Sequence, residues 1–345
     1  MNFLKRRTAL AVLGAVAAAT MAGNALAQTV TLRLHQMLPA QATIPAKALV
    51  PWAQKVEADS GGKIKVQLFH AMQLGGTPPQ LFDQARDGVV DLTWTVLGYT
   101  PGRFNKSEVF ELPFMSGSAE QSSRAFQAYV EKFAADEFKD VKLIAVHTHG
   151  PGLFHTKAPV TGLESLRGMK IRGGSRIINN MLVKLGATPV GMPVPAVTDA
   201  LSKGTIDGTT IPWEVTPSLK VTELVKNHTT FAGAEGLYTQ TFALSMNKAA
   251  YDKLPADLKK VIDNNSGLET AAAFGKAMDE GDKVGREIAL KGGNKITELD
   301  VAEVQRWRRT AGSVEGDWVK EVSGKGIDGA RLLAEAKAAM ARHSK

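Results

Sequence analysis

Arg172 has a side chain, a position and neighbours that together favour ligand binding. It ends a segment predicted to be a buried strand, residues 169–171, and Gly173 and Gly174 follow it, which lets the backbone approach a ligand closely. Ser175 then has a side chain suited to the start of a helix and offers a hydroxyl or amide donor. Because a guanidinium fits a carboxylate with two parallel hydrogen bonds, these residues favour an anion site. An ordinary surface arginine is the alternative.

Three histidines offer a second kind of chemistry. His147 and His149 would share one face of a strand, and His155 follows a Gly-Pro-Gly turn, so the imidazoles could reach one metal ion. A metal-assisted hydrolase is therefore one hypothesis of function. The alternative is that the histidines only make hydrogen bonds at the end of the strand, since no carboxylate is fixed nearby in sequence. We expect neither a metal nor a cofactor.

Other catalytic patterns are missing from the sequence. The chain has no cysteine, which excludes disulfides, thiolate nucleophiles and cysteine-ligated metals. Residues 312–316 have the wrong spacing for a nucleophilic serine motif, and no phosphate-binding glycine motif follows a predicted strand. The carboxylate pairs 136–137 and 279–280 fall on charged helices and are typical of solvated faces. We therefore expect that the protein is not an enzyme.

The elements around Arg172 predict a parallel sheet. A strand ends at Arg172, a helix opens at Ser175, a second strand covers about 188–192, a second helix about 194–203, and a third strand begins near Thr205. This βαβαβ alternation is typical of α/β proteins, in which ligands bind beyond the carboxyl ends of the strands. Arg172 is predicted to lie at such an end.

A second α/β unit is predicted over about residues 30–97. Residues 83–91 parallel residues 199–207: each segment is a helix stopped by glycine, followed by a strand that begins G-x-[VI]-D. A tryptophan follows each, at Trp94 and Trp213. Two similar lobes that face each other would explain this repetition, although helix–glycine–strand is also a common connection.

The N-terminus predicts export. Lys5, Arg6 and Arg7 precede a small-apolar run over 9–22 and an Ala-Leu-Ala site at 25–27, which favours a cleaved signal peptide over residues 1–27 and a periplasmic location. An uncleaved anchor is the alternative. Cleavage would lower the formal net charge from +8 to +5, and no dense basic stripe suggests nucleic-acid binding.

Several motifs occur in a fixed order along the chain. They are LRGMKIR at 166–172, LGATPV at 185–190, ALSKGTIDG at 200–208, QLGG at 73–76, residues 81–91, and LSMNKAAYDKLPADL at 244–258. In these motifs the chain resembles the extracytoplasmic solute receptors of tripartite ATP-independent periplasmic (TRAP) transporters, the DctP family, over essentially the whole mature sequence.

The resemblance implies an α/β fold of two lobes, each a mixed, mostly parallel sheet flanked by helices, with a long bridging helix. Lobe I would comprise residues 28–146 plus about 238–277, and lobe II residues 147–237 plus about 278–345. The resemblance also implies that Arg172 holds the carboxylate of an organic acid. The receptor would deliver this acid to the membrane subunits of an ion-coupled permease, and we expect a monomer.

Departures from the sialic-acid-binding members of the family bear on the ligand. Those members have a second arginine on the strand before the central unit, at a position that falls near His149 in this sequence. They also have polar residues at two strand ends, where this sequence has TVLGY at 95–99 and TTIPW at 209–213. We therefore expect a carboxylate with an apolar or aromatic body, or a short 2-oxo or 2-hydroxy acid, because many sugar hydroxyls would lack partners. The expected ligand-binding residues are Arg172, Trp213, His149, Tyr99, Ser175, Thr77 and Gln36.

Two further hypotheses keep the binding fold but change the partner. The protein could serve an ATP-driven importer, or it could be the soluble ligand-binding partner of a membrane sensor.

Overall fold

The computed structural model describes residues 29–233 and 235–343, so the predicted signal peptide over 1–27 lies outside the described residues. Within this part of the chain, the strands form two mixed sheets. The strands are β1 (Val30–His35), β2 (Ile64–Phe69), β3 (Leu92–Val96), β4 (Val141–Thr148), β5 (Leu153–Thr156), β6 (Lys170–Gly173), β7 (Thr188–Gly191), β8 (Gly208–Ile211), β9 (Asn227–Phe231), β10 (Thr241–Asn247) and β11 (Lys295–Leu299).

Helices flank both sheets. They are α1 (Val50–Asp59), α2 (Leu81–Arg86), α3 (Ala119–Tyr129), α4 (Arg176–Lys184), α5 (Val197–Ser202), α6 (Val221–Leu224), α7 (Lys248–Asp252), α8 (Ala256–Asn264), α9 (Leu268–Lys291), α10 (Val301–Ala311), α11 (Ser313–Ser323) and α12 (Gly329–His343). Among the described residues, no helix has the length and apolar character needed to cross a membrane.

The first sheet has the order β2-β1-β3-β10-β4, with β10 antiparallel to its neighbours β3 and β4. The second has the order β11-β9-β5-β8-β6-β7. In it β6 runs parallel to both β7 and β8, so the βαβαβ unit predicted around Arg172 is present as β6-α4-β7-α5-β8. The first sheet and the helices packed on it are called lobe I, and the second sheet and its helices are called lobe II.

The repeated G-x-[VI]-D segments have matching roles in the two lobes. Asp91 accepts a hydrogen bond from the backbone N–H of Arg33 at 2.8 Å, in strand β1 of lobe I. Asp207 accepts one from the backbone N–H of Lys170, also at 2.8 Å, where β6 begins in lobe II. Each aspartate therefore ties the entry of its own strand to the neighbouring parallel strand. This is a structural role that the repetition alone did not specify.

The chain crosses between the lobes more than once. Strand β4 pairs in the first sheet and β5 pairs in the second, so residues 149–152 form one crossing. The chain returns between β9 and β10. The division between lobes at 146/147 stays a prediction; β4 itself continues in the first sheet to Thr148.

The long helix α9 bridges both lobes, as the family resemblance implied. It packs against α3 and β4 of lobe I and against the short turn Trp213–Val215 and β11 of lobe II. At two glycines, one facing each lobe, the backbone of the helix packs against the backbone of the neighbouring segment. A β-carbon at Gly275 would meet the carbonyl oxygen of Ala119, and one at Gly285 would meet that of Trp213. The helix backbone is therefore in direct contact with both lobes.

Candidate functional site

Arg172 is fully buried at the carboxyl end of β6. Its guanidinium donates from Nε to the carbonyl oxygen of Met192 at 2.9 Å and from Nη1 to that of Thr210 at 3.3 Å. Its hydrogen-bond partners within the described residues are neutral groups, and no carboxylate there lies within ion-pair distance. A buried cation without a counter-charge is costly, so the site is electrostatically prepared for an anion.

Tyr99 reaches Arg172 from the opposite lobe. Its backbone belongs to the short turn Leu97–Tyr99 that follows β3. The Tyr99 hydroxyl accepts from Arg172 Nη2 at 3.4 Å and from the backbone N–H of Val194 at 2.7 Å. Burial raises the pKa of the Tyr99 phenol, against the opposing charge of Arg172, so the phenol stays neutral at ordinary pH. The two predicted site residues are brought together, and a neutral group contacts the cation.

Ser175 caps helix α4, since its hydroxyl accepts from the backbone N–H of Ile178 at 3.3 Å. It lies against Gly98 of lobe I: a β-carbon at Gly98 would be only 2.6 Å from the β-carbon of Ser175. A pocket of about 260 Å³ opens here, beside Arg172. It is lined by Pro79, Gly98, Tyr99, Pro101, Gly173, Gly174, Ser175, Arg176, Asn179, Gly191, Met192 and Pro193.

His149 lies close enough to Arg172 that the positive charge contributes to a lowered pKa, after the larger effect of burial; its pKa is about 4. The imidazole is therefore neutral. Its Nε2 accepts from the backbone N–H of Gln240 at 3.1 Å, which leaves the ring proton on Nδ1, facing the carbonyl of Gly150. Both nitrogens are occupied, so His149 supports the crossing segment from beside the site.

Three other predicted site residues lie elsewhere. Trp213 packs edge-on against His155, with ring centroids 4.9 Å apart, and against His228 at 4.8 Å, so it does not line the Arg172 pocket. The Gln36 side chain makes local hydrogen bonds: its amide contacts the backbone of Leu38, and its Nε2 lies 2.8 Å from His70 Nδ1.

Thr77 is exposed and caps a short turn with Gln80. Its backbone N–H donates to Gln80 Oε1 at 2.8 Å, which uses this polar pair in local structure.

The histidines of the metal hypothesis do not converge. His147 Nε2 accepts from Trp94 Nε1 at 2.8 Å, whereas His155 Nδ1 lies 2.7 Å from His228 Nδ1 in the other sheet. Burial lowers the pKa of His147 to about 3 and that of His155 well below its usual value. Across residues 29–233 and 235–343, no group of three His, Cys, Asp or Glu side chains is arranged to hold a metal ion.

Sequence reasoning missed three polar residues near Arg172. Tyr238, Gln240 and Glu111 are all buried, and each has one polar atom without a hydrogen-bond partner in the described structure: the Tyr238 hydroxyl, Gln240 Nε2 and Glu111 Oε2. Gln240 lies directly on Gly174, since a β-carbon there would meet its amide. Tyr238 lies within the electrostatic influence of both Arg172 and Glu111. The sequence signal for Tyr238 and Gln240 was the polar, aromatic run YTQ at 238–240, and Glu111 had none.

Glu111 is the carboxyl group of this region. Its Oε1 accepts from the backbone N–H of Thr241 at 3.0 Å and from the Thr241 hydroxyl at 2.8 Å. Both carboxyl oxygens lie within 3.4 Å of the point where a Gly98 β-carbon would stand. Burial raises the pKa of Glu111 to about 7, although the nearby Ser175 hydroxyl and the hydrogen bonds from Thr241 favour the ionised form. Arg172 and Glu111 therefore lie directly behind residues that line the pocket: Arg172 precedes Gly173, and Glu111 lies against Gly98.

Residues 35–320 match the model of the family described as "Bacterial extracellular solute-binding protein, family 7", DctP. The chain belongs to this family. Among curated relatives, TsaT of Comamonas testosteroni, named an outer membrane transporter protein, is 27% identical over 96% of this chain and 97% of its own. The C4-dicarboxylate-binding periplasmic protein DctP of Rhodobacter capsulatus is 25% identical over 98% and 99%.

Solved DctP-family structures resemble this one over nearly its whole length. A TRAP solute-binding protein from a marine metagenome, in complex with 3-hydroxybenzoate, is 50% identical with a TM-score of 0.91, covering 92% of this chain and 100% of that one. A TRAP solute-binding protein from Rhodoferax ferrireducens with copurified benzoate is 50% identical with a TM-score of 0.90, covering 92% and 99%. One from Bordetella bronchiseptica with bound mandelate is 31% identical with a TM-score of 0.84, covering 91% and 99%.

The predicted family and two-lobed α/β fold are therefore confirmed, and the protein is a TRAP-type solute receptor. The members compared are substrate-binding receptors, and the Rhodobacter relative is named a periplasmic protein.

Proposed function

We propose that this receptor captures an aromatic monocarboxylate between its lobes, with Arg172 paired to the carboxylate, and delivers it to an ion-coupled TRAP permease. One observation carries the proposal: Arg172 is fully buried, lacks an acidic partner among the described residues, and contacts Tyr99 of the opposite lobe. An anion held there would complete the charge pairing only when the lobes are together.

The pairing of the cations near the pocket favours one carboxylate rather than two. Among the described residues, Arg172 is the only lysine or arginine that is buried. Arg176 also lines the pocket, but its guanidinium is paired with Glu108 and Glu321, so the second charge of a dicarboxylate would find no unpaired cation there. Two unit charges at 4 Å attract by about 4 kcal/mol at an effective dielectric of 20, and desolvation offsets part of this gain.

The apolar lining favours an aromatic body. Tyr99, Met192, Pro79 and Pro101 all line the pocket next to Arg172. The relatives support this class, because the two that are 50% identical bind 3-hydroxybenzoate and benzoate, and the one that is 31% identical binds mandelate. Mandelate also belongs to the 2-hydroxy acids that the sequence favoured.

The proposed site consists of Arg172, Tyr99 and Ser175, with His149 beside it. Trp213, Gln36 and Thr77 are left out of the proposed ligand contacts because their side chains pack elsewhere. The protein is further proposed to act as a periplasmic monomer after removal of residues 1–27.

Calorimetry on the chain without residues 1–27 tests the proposal. Benzoate and the hydroxybenzoates should bind with micromolar or better affinity, and succinate and sialic acid should give no measurable heat. Binding of sugar acids without binding of aromatic acids would contradict the ligand class. For the partner, uptake that needs an ion gradient supports a TRAP permease, whereas uptake that needs only ATP hydrolysis favours the importer hypothesis.

A further inference from the structure

Three buried polar atoms near Arg172 have no hydrogen-bond partner among the described residues. They are Glu111 Oε2, the Tyr238 hydroxyl and Gln240 Nε2. A buried polar atom without a partner costs about 1–3 kcal/mol, and an ionised one costs more. The carboxylate of the ligand satisfies Arg172 and leaves these three groups unexplained.

The three remaining groups have complementary hydrogen-bonding capacity. Glu111 Oε2 accepts when ionised, Gln240 Nε2 donates, and the Tyr238 hydroxyl does either. A hydroxyl is the smallest group that donates one hydrogen bond and accepts others. A methyl group or a bare ring carbon satisfies none of them.

Glu111 is the group best held for this contact. Thr241 fixes its Oε1 with two hydrogen bonds, of 3.0 Å from the backbone and 2.8 Å from the hydroxyl. The Ser175 hydroxyl lies near the carboxyl but outside hydrogen-bond geometry, so Oε2 is available to a ligand. The carboxyl borders the pocket through Gly98 and Ser175, both of which line it. Its side chain is 1% exposed, so water competes poorly for Oε2.

We propose that Glu111 Oε2 accepts a hydrogen bond from a hydroxyl on the body of the ligand, so that the receptor selects hydroxylated aromatic acids over unsubstituted and methylated ones. This inference rests on the proposed function, because it assumes an aromatic carboxylate on Arg172. Gln240 Nε2 and Tyr238 supply the donors to the same hydroxyl.

Calorimetry with matched ligands tests the inference. The 2-, 3- and 4-hydroxybenzoates are compared with the corresponding methylbenzoates, which have similar size and lack the donor. A hydrogen bond to a charged acceptor predicts that the best hydroxybenzoate binds about tenfold to a hundredfold more tightly than its methyl counterpart. Equal affinities within each pair would overturn the inference while leaving benzoate binding, and hence the proposed function, in place.

Glu111→Gln is the informative variant because its amide oxygen can still accept from Thr241. Its hydroxyl-to-methyl affinity ratio should fall to about threefold or less, and this ratio, measured within the same variant, is the readout. Glu214→Gln is the matched control, since Glu214 is also buried with a pKa of about 7 but lies in another cavity, against Gly281 of the long helix. It should keep the wild-type ratio. A wild-type ratio in Glu111→Gln overturns the inference.

A measurement on the wild type keeps the test independent of how the variant folds. Glu111 titrates with a pKa of about 7, so the hydroxyl-to-methyl ratio should be several-fold larger at pH 8 than at pH 6. The nearby titratable groups are Glu108, Tyr99 and Tyr238; Glu108 is paired with Arg176, and burial keeps both tyrosines neutral. A ratio that is the same at both pH values would count against Glu111 as the acceptor.

Discussion

The hydroxyl oxygen of Tyr99 lies 3.4 Å from Nη2 of Arg172, and the two residues come from different lobes. The same oxygen also accepts a 2.7 Å hydrogen bond from the backbone of Val194 in lobe II. Closure of the lobes thus brings a neutral phenol, and not a carboxylate, against the buried guanidinium. The contact helps hold the lobes together without cancelling the charge that a ligand needs.

Arg172→Met should abolish binding of benzoate, with a loss of affinity of at least a hundredfold, because the buried charge partner of the carboxylate is removed. The free protein should be as stable as the wild type or more so, since an unpaired buried cation has been replaced by an apolar chain. Calorimetry and thermal unfolding with and without benzoate check both points. Near-normal affinity in this variant would refute the central assignment.

Tyr99→Phe should weaken benzoate binding by about tenfold, because it removes the hydroxyl that accepts hydrogen bonds from both Arg172 and the backbone N–H of Val194. The ring remains to fill the pocket wall, so unfolding in urea should change little. An unchanged dissociation constant would show that the 3.4 Å contact between the lobes contributes nothing to closure.

Gly98→Ala should hinder closure. The added β-carbon would stand 2.6 Å from the β-carbon of Ser175, closer than two carbons approach, and Gly98 and Ser175 belong to opposite lobes. We expect at least a tenfold loss of affinity and a larger radius of gyration by X-ray scattering with saturating benzoate. Gly316→Ala is the matched control, since no heavy atom lies within 4 Å of its added carbon. Tight binding by Gly98→Ala would show that the backbone there shifts freely.

The local sequence pattern was sufficient to predict the secondary structure around Arg172. Strands β6 and β7 and the start of α4 follow from alternation, glycines and a capping serine within about 25 residues, which are short-range signals. Strands β5, β9 and β11 were not predicted: β5 directly follows the Gly-Pro-Gly turn, and β9 and β11 carry polar residues. The region after Pro255 contains two helices: α8 ends at Asn264, and Gly267, with a φ of 80°, precedes the start of α9 at Leu268.

The side of the pocket opposite Arg172 could not be predicted, because its contacts join distant parts of the sequence. Glu111 is held by Thr241, which is 130 residues away. Trp213 is a large aromatic residue of the kind that lines ligand pockets, but the pairing of β5 with β8 and β9 places it beside His155 and His228. Sequence pattern indicates which residues are apolar, whereas strand register decides what they contact.

Glu214 should make stability depend on pH. Burial raises the pKa of its carboxyl from 4.5 to about 7 in the folded protein. Between these values the folded protein holds a proton that the unfolded chain has lost, so this group's contribution to the free energy of unfolding falls as the pH rises from 4.5 to 7. Glu214→Gln removes this loss. It should gain stability relative to the wild type, by about 2–3 kcal/mol at most, between pH 5 and pH 8.

Urea unfolding at both pH values measures the difference. The exposed Glu298→Gln serves as control and should follow the wild type at each pH. A gap between Glu214→Gln and wild type that stays constant from pH 5 to pH 8 would mean that Glu214 ionises normally in the folded state.

The glycines of the long helix limit how the two lobes can move. Because its backbone touches the carbonyl of Ala119 at Gly275 and that of Trp213 at Gly285, neither lobe can slide along the helix without a collision. The two contacts are separated by about ten residues, or roughly 15 Å of helix. We therefore expect opening and closing to bend this interval of the helix rather than to move either lobe along it.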